Sequence, residues 1–266
     1  MLAKKIFIPF FSLLLLSSMS CNMKNGQGIN FFSIQDDIEM GRQFSAEIEK
    51  DRANYPILPE QGNEEAYRYI RNLTKKILNS GEVAYRNEFD WTVKLIKDDN
   101  TLNAFAIPGG YLYVYTGLIK YLDSEDQLAG VMGHEIAHAA LRHSTQQMSK
   151  IYGLDALRAV VTGKQEGGTL SQMALGLISL NFSRKHEAQA DEYSVRYLCP
   201  TSYNAAGAAG FFEKLNQQGG SRPPEFLSTH PDPGNRVKDI KDRKVSLGCN
   251  GNQTNTGEYN RIKKLL

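Results

Sequence analysis

The sequence predicts an α+β fold in which a small β-sheet packs against several helices within one domain. Apolar residues recur at helical spacing on both sides of a central stretch, residues 89–115, where apolar and polar residues alternate instead. The 266 residues, 41% of them hydrophobic, are enough for one sizeable core. The net charge of +2 is too close to neutral to indicate binding to nucleic acid.

The first twenty residues have the order of a secretory signal peptide: a basic start, an apolar stretch and then small residues. Cys21 follows directly, as in the lipidation box of bacterial lipoproteins. We therefore expect residues 21–32 to be a tether from a lipid on Cys21, in the bacterial cell envelope. Asn22 favours the outer membrane, facing the periplasm. Secretion with cleavage nearby and no lipid is the alternative.

Two amphipathic helices are predicted before the sheet, over residues 35–51, capped by Ser33, and over 64–78. The sheet itself is predicted to have three short strands, with a turn at Pro108-Gly109-Gly110 between the second and the third. In the third strand tyrosines alternate with Leu and Val, so the tyrosines share one face. The predicted strands are 89–97, 103–107 and 111–115.

A long helix is predicted next, from a capping box at Ser124 (S-x-x-Q) to about Met148. Two further helices are expected over 169–180 and from Ser183 to Cys199. The glycine-rich break between residues 163 and 168 is either a lid or an inert loop. We expect one domain over residues 33–247, followed by a loose C-terminal tail over 248–266 because that segment is rich in Gly and Asn.

The long helix contains H-E-x-x-H, with His134, Glu135 and His138. Residues four apart share a helix face, so the two imidazoles can bind one metal ion, and neutral imidazole suits Zn²⁺. Glu135 then lies beside the metal and can act as a base on water. The pattern predicts one Zn²⁺ per chain.

A catalytic zinc ion has three protein ligands, so one more is needed. His143 is five residues past His138, which suits a surface or interhelix hydrogen bond better than a ligand. Glu187 is the better candidate, and Asp191 shares its helix face and can fix the tautomer of a ligand imidazole. Taken alone, these two carboxylates would instead suggest a solvated helix face.

His230 lies in the stiff sequence S-T-H-P-D-P, which can direct its side chain toward the metal. It can donate a hydrogen bond to a developing oxyanion or act as a fourth ligand in a resting state; a turn histidine facing water is the alternative. Cys199 and Cys249 can pair in an oxidising compartment or remain two thiols.

Four motifs in this order carry a resemblance: N-A-F-A-x-P-G-G-Y, the H-E-x-x-H sequence, S-R-K-H-E-A-Q-A-D, and S-T-H-P-x-P-x-x-R. Together they resemble the HtpX-like and CaaX-protease-like zinc metallopeptidases, most of all the periplasmic BepA and LoiP type. The resemblance implies a predominantly helical zincin-type domain with a small sheet beside the H-E-x-x-H helix. It implies zinc ligation by His134, His138 and Glu187, with Glu135 as base, Asp191 as supporting acid and His230 near the metal.

The implied activity is zinc-dependent cleavage of unfolded or misassembled envelope proteins, with envelope assembly machinery as a further partner. We expect Asn103, Gly110 and Tyr111 to contact substrate, because an exposed strand edge beside the metal helix can pair with an extended chain. Packing of the sheet explains the tyrosines equally well. The rival interpretation is an envelope chaperone or assembly lipoprotein with a structural or vestigial zinc site.

Overall fold

The computed structural model describes residues 30–152, 154–164, 168–218, 225–232 and 234–266. The predicted signal peptide and Cys21 lie outside these residues, as does part of the glycine-rich break. Within the described part of the chain, none of the helices is both long enough and apolar enough to span a membrane. The helices are α1 (Ile34–Lys50), α2 (Glu64–Leu78), α3 (Thr116–Tyr121), α4 (Glu125–Ala140), α5 (His143–Ile151), α6 (Leu154–Val161), α7 (Thr169–Ile178), α8 (Arg184–Leu198), α9 (Gly207–Gln218), α10 (Glu225–Thr229), α11 (Arg236–Ser246) and α12 (Thr256–Lys263).

The predicted α+β fold is confirmed: a mixed three-stranded sheet lies among these helices. Its strands are β1 (Val93–Ile96), β2 (Ala104–Ile107) and β3 (Tyr111–Tyr115). The order is β1-β3-β2, with β1 parallel and β2 antiparallel to β3. Strand β2 is therefore an edge strand of the described sheet.

The two faces of the sheet pack into two separate cores. The tyrosines of β3 lie with Met40, Phe44 and Met173 in one core, on the side of α1 and α7. Leu112 and Val114, between those tyrosines, lie in the other core with residues of α2, α4, α8 and α9. The alternation in the third strand thus predicted the two faces correctly, and both faces are buried.

Two glycines of α4 let neighbouring helices approach it closely. A Cβ atom at Gly130 would lie 2.2 Å from the backbone nitrogen of Ala208 in α9. A Cβ at Gly133 would lie 2.9 Å from Ser194 Oγ in α8. Ser194 also donates a hydrogen bond of 2.7 Å to the Gly130 carbonyl. The close contact brings α8 alongside the H-E-x-x-H helix.

The prediction of one long helix reaching about Met148 is wrong, because the helix ends at Ala140. Arg142 adopts a left-handed conformation with φ of 61°, and α5 starts at His143. No glycine or proline marks the break. Arg142 is held by Asp37, 105 positions away in the sequence, at 2.6 and 2.9 Å.

The capping box predicted at Ser124 does not form. Ser124 Oγ donates to Asp126 at 2.5 Å, and Gln127 accepts from the Asp123 backbone at 2.9 Å. The first backbone N–H of α4 instead donates to the carbonyl of Thr254, at 2.9 Å. The C-terminal segment therefore supplies a partner for one of the backbone N–H groups that have no acceptor within the helix.

The C-terminal segment after residue 247 is ordered, which corrects the loose tail expected there. It forms α12, whose Tyr259 and Ile262 are fully buried, and Tyr259 donates to the Ile119 carbonyl at 2.7 Å. Cys199 and Cys249 form a disulfide that joins the end of α8 to this segment. Two buried side chains and a disulfide outweigh the loop-forming composition of the segment.

Strand β1 is shorter than the predicted 89–97. Trp91 has a positive φ of 45°, which interrupts the extended backbone before Val93. Its ring packs over the turn before β3, so closely that a Cβ atom at Gly110 would lie 3.0 Å from the ring. Packing of a large aromatic ring has overridden the local alternation here.

Candidate metal centre

Three helices meet at a buried cluster of titratable side chains. His134 and His138 lie one turn apart on α4, and their Nε2 atoms are 3.0 Å apart. Glu187 in the first turn of α8 lies 3.4 Å from each of these nitrogens, through its two carboxylate oxygens. All three side chains are at most 1% exposed. The structure thus brings the remote carboxylate to the histidine pair, as predicted.

His230, at the end of α10, completes the cluster. Its Nδ1 lies 3.1 Å from Glu187 Oε1 and 3.3 Å from His134 Nε2. Its ring stacks on Phe226, with 4.4 Å between centroids, and is 1% exposed. The alternative of a turn histidine facing water is therefore excluded.

These four side chains have the spacing and chemistry of a single metal site. One ligand atom from each of His134, His138, Glu187 and His230 lies within 4.8 Å of the others. Zinc–nitrogen and zinc–oxygen bonds of about 2.0–2.1 Å in a tetrahedron place the ligand atoms about 3.3–3.4 Å apart. The atom pairs above lie 3.0–3.4 Å apart. Neutral imidazoles with one carboxylate are ligands that zinc accepts.

A charged network supports the cluster on the His134 side. Asp191 Oδ1 lies 2.9 Å from His134 Nδ1, where it accepts the ring proton and leaves Nε2 for the metal. Arg236 donates to Asp191 Oδ2 at 2.7 Å and to Glu187 Oε2 at 2.6 Å. Arg236 is 2% exposed and its guanidinium lies 4.1 Å from the Phe212 ring centroid.

Sequence reasoning assigned Arg236 no role. It is the final residue of the S-T-H-P-x-P-x-x-R motif, so the pattern contained a signal for it. Its function depends on contacts with Glu187 and Asp191, which only the packing of α11 against α8 reveals.

The His138 side is neutral and aromatic. His143 Nδ1 lies 3.1 Å from His138 Nδ1, so His143 forms the interhelix contact expected of it and is not a surface residue. The His186 ring stacks on His143, with centroids 4.4 Å apart and planes 11° from parallel. Phe182 covers His138 at 4.0 Å between centroids.

Glu135 is buried beside the cluster, and within the described part of the chain its carboxylate is not used in hydrogen bonds. Neither of its oxygens has a hydrogen-bond partner among the described residues, although the side chain is only 2% exposed. Burial raises the pKa of Glu135, while the positive charges of His230 and His134 oppose this; the backbone N–H of Ala106 in β2 opposes it weakly, from a position outside hydrogen-bonding geometry. His230 Nε2 lies 3.6 Å from Glu135 Oε1. An unpartnered buried carboxylate is suited to receive a proton.

The ion pairs shift the pKa values of the cluster. Burial lowers the pKa of His134, but the hydrogen bonds that it donates to the carboxylates of Asp191 and Glu187 outweigh burial and raise that pKa to about 9. Burial would raise the pKa of Glu187, yet the charge of His230 and hydrogen bonds with His134 and His138 lower it. Burial lowers the pKa of His138. Glu187 is therefore ionised, as a metal ligand must be.

The residues expected to contact substrate do not form one group. Asn103 precedes β2 and accepts a backbone hydrogen bond from Tyr115 at 3.1 Å, while Tyr111 pairs with Ile107 at the opposite end of the β2–β3 ladder. Gly110 lies under Trp91, and the Tyr111 hydroxyl donates to Asp90 at 2.7 Å. Their role in substrate binding stays a prediction.

Comparison with known proteins adds to this geometry. The beta-barrel assembly-enhancing protease of Escherichia coli (strain K12) is 30% identical to this chain over 229 residues, which cover 79% of this chain and 44% of that protein. Metalloprotease LoiP of the same strain is 33% identical over 186 residues, covering 68% of this chain and 72% of LoiP. Metalloprotease YcaL, also of Escherichia coli (strain K12), is 32% identical over 151 residues, covering 54% of this chain and 59% of YcaL.

The chain spans less than half the length of the beta-barrel assembly-enhancing proteases that it matches. A match to peptidase family M48 extends over residues 64–244, which is more than half of the chain and includes every residue of the cluster and its charged network. The predicted resemblance to zinc metallopeptidases of the BepA and LoiP type is confirmed, and the chain belongs to peptidase family M48.

Proposed function

We propose that this protein is a zinc-dependent endopeptidase that hydrolyses peptide bonds of unfolded or misassembled envelope proteins. The observation that carries the proposal is the unpartnered, buried carboxylate of Glu135 beside the four-residue cluster. His134, His138 and Glu187 would hold the zinc ion. When bound, zinc supplies Lewis-acid chemistry, polarising the scissile carbonyl and lowering the pKa of water.

The protein's own groups perform the proton transfers. Glu135 accepts the proton of the attacking water and then delivers it to the leaving nitrogen. Burial raises its pKa, which makes the carboxylate a stronger base toward the water proton. Asp191 keeps the His134 proton on Nδ1 and so keeps the ring in the ligand tautomer. His230 is a fourth ligand at rest or a donor to the developing oxyanion; its Nδ1 faces the ligands and its Nε2 faces Glu135.

The substrate class follows from the edge strand and from the relatives. Strand β2 is an edge strand of the described sheet, and Ala106 in it lies near Glu135. All four residues of β2 are buried, so a peptide would have to displace neighbouring segments to pair with β2, and its backbone would then lie beside the base. Pairing through the main chain reads little sequence, so unfolded chains of many sequences suit it. One relative is named as a protease that enhances β-barrel assembly, which supports an envelope substrate. A lipid on Cys21 would hold the protein at the membrane.

The decisive experiment replaces Glu135 by Gln in the mature protein. E135Q should bind zinc with wild-type stoichiometry but cleave an unfolded casein at least about 100-fold more slowly, because the base is lost. Metal analysis and gel or fluorescence assays of cleavage measure the two quantities. Wild-type activity should disappear with a chelator and return with zinc.

The matched control is E125Q. Glu125 is a buried glutamate in the first turn of the same helix, where it accepts hydrogen bonds from Tyr69 and Tyr203. E125Q should retain cleavage. If E135Q cleaves casein at the wild-type rate, Glu135 is not the base. If zinc-loaded wild-type protein prevents aggregation of unfolded chains and cuts none of them, the chaperone interpretation replaces the peptidase.

A further inference from the structure

The two ligand histidines of α4 differ in what contacts their second ring nitrogen. The Nδ1 of His134 meets the carboxylate of Asp191, whereas the Nδ1 of His138 meets another imidazole nitrogen, His143 Nδ1, at 3.1 Å. His138 and His143 are each 1% exposed, so water does not compete freely for this contact. A distance of 3.1 Å is within the range of an N–H hydrogen bond.

The contact exists because α4 breaks where it does. A continuous helix would place His143 about 140° around the axis from His138 and about 7.5 Å further along it, too far for the rings to meet. Instead, α4 ends at Ala140 and α5 starts at His143. The break therefore turns the His143 side chain back toward the end of α4.

The break is held by the segment at the start of α1. The left-handed conformation of Arg142 is strained for a residue other than glycine, so other contacts must stabilise it. Its guanidinium binds both oxygens of the buried Asp37 and also donates to the carbonyls of Phe32, at 2.6 Å, and Ser33, at 3.0 Å. These hydrogen bonds stabilise the left-handed conformation of Arg142 and so the break between α4 and α5.

We propose that His143 is a positioning residue for the metal site: it accepts the Nδ1–H hydrogen bond of His138 and so presents the His138 Nε2 atom to the metal. The inference rests on the metal binding that the proposed function requires. A neutral imidazole that binds a metal through Nε2 carries its proton on Nδ1. His143 must then accept through its own Nδ1, with its proton on Nε2.

Neighbouring rings hold His143 in the orientation that this hydrogen bond needs. His186 stacks on one face of His143, and Phe182 lies across both His138 and His143, with centroids at 4.0 and 6.3 Å. The His186 Nδ1 atom has no hydrogen-bond partner among the described residues. His186 thus contributes packing, while His143 contributes the polar contact with the ligand.

The test compares zinc affinity in three variants, by competition with a chromophoric chelator. H143L removes the acceptor and should weaken zinc binding by about 10–100-fold. H143N places a carbonyl oxygen near the position of Nδ1 and should restore the affinity to within about threefold of wild type. H186L removes the ring that packs on His143 but keeps the hydrogen-bond acceptor, so it should weaken zinc binding much less than H143L does.

Urea unfolding of the zinc-free proteins separates positioning from loss of fold. H143L should remain folded without zinc, with an unfolding midpoint near that of wild type, and still bind zinc more weakly. If H143L does not fold, H143M should replace it, because methionine fills the space with a flexible apolar side chain, and it should show the same loss of zinc affinity. Wild-type affinity in a folded H143L or H143M, or failure of H143N to recover affinity, would overturn the inference alone. A wild-type protein that binds no zinc would overturn the proposed function as well.

Discussion

The two sides of the metal centre are built from opposite kinds of chemistry. On the His134 side, Asp191, Glu187 and Arg236 form a buried charged network joining α8 and α11 to α4. On the His138 side, the contacts come from the imidazole of His143 and the phenyl ring of Phe182, and neither is charged. On each side a neighbouring residue contacts the Nδ1 atom of the ligand imidazole, and on the His138 side Phe182 also packs on the ring.

The comparison shows that buried charged groups and buried neutral rings need different kinds of partner. An ionised carboxylate in the protein interior is costly without a partner, and Arg236 supplies one to both Glu187 and Asp191. Neutral rings need only packing and one hydrogen bond. Loss of one partner should therefore lower the free energy of unfolding more on the charged side than on the neutral side.

Replacing Arg236 by Leu should break the charged side and give the largest effect. Two buried carboxylates would lose their compensating charge, so we expect the free energy of unfolding of the zinc-free protein to fall by about 3–5 kcal/mol. A bound metal cation partly compensates Glu187, so the loss should be smaller with saturating zinc. Urea unfolding with and without zinc measures both values.

The matched variant is R236K, which keeps the charge but loses the planar fork that binds both carboxylates. Its stability should lie between those of wild type and R236L. A drop in R236L below about 1 kcal/mol, or an equal drop with and without zinc, would mean that the two sides do not differ as described.

Removing the disulfide should have the next largest effect, also on the charged side, since Cys199 directly follows α8. The bridge closes a loop with a sequence separation of 50, for which chain entropy predicts a loss of about 4 kcal/mol in C199S/C249S. The loss arises in the unfolded chain, so it should be the same with and without zinc. Unfolding in urea tests this, and reductant should change the wild type but leave the double variant unaffected.

Replacing Phe182 by Leu should give the smallest effect, on the neutral side. Phe182 packs on His138 without a polar contact to it, so F182L should lose about 1 kcal/mol of stability, equally with and without zinc. Thermal or urea unfolding measures the loss. A much larger loss in the zinc-bound protein alone would show that Phe182 acts through the ligand, and the neutral side would then be as sensitive as the charged one.

Local patterns were reliable where neighbouring residues decide the outcome. Helix α2 has the predicted bounds of 64–78, and Ser33 caps α1 through the Asp36 backbone, because amphipathic spacing and a capping side chain act within a few residues. The alternation in β3 gave its two faces. Predictions failed at Arg142 and in the C-terminal segment, where partners more than 100 positions away replace local ones. The capping box failed for a local reason, because the Ser124 hydroxyl bonds Asp126 instead.

The sequence alone determined the pairing of His134 with His138, the place of Glu135 beside them and the ligand candidates Glu187 and His230, because helical spacing and residue chemistry are properties of short segments. Only the tertiary structure decided that Arg236 neutralises the buried carboxylates, that the helix ends before His143 and that the last residues support α4. Each of these depends on buried groups finding partners across the fold, which a linear pattern does not encode.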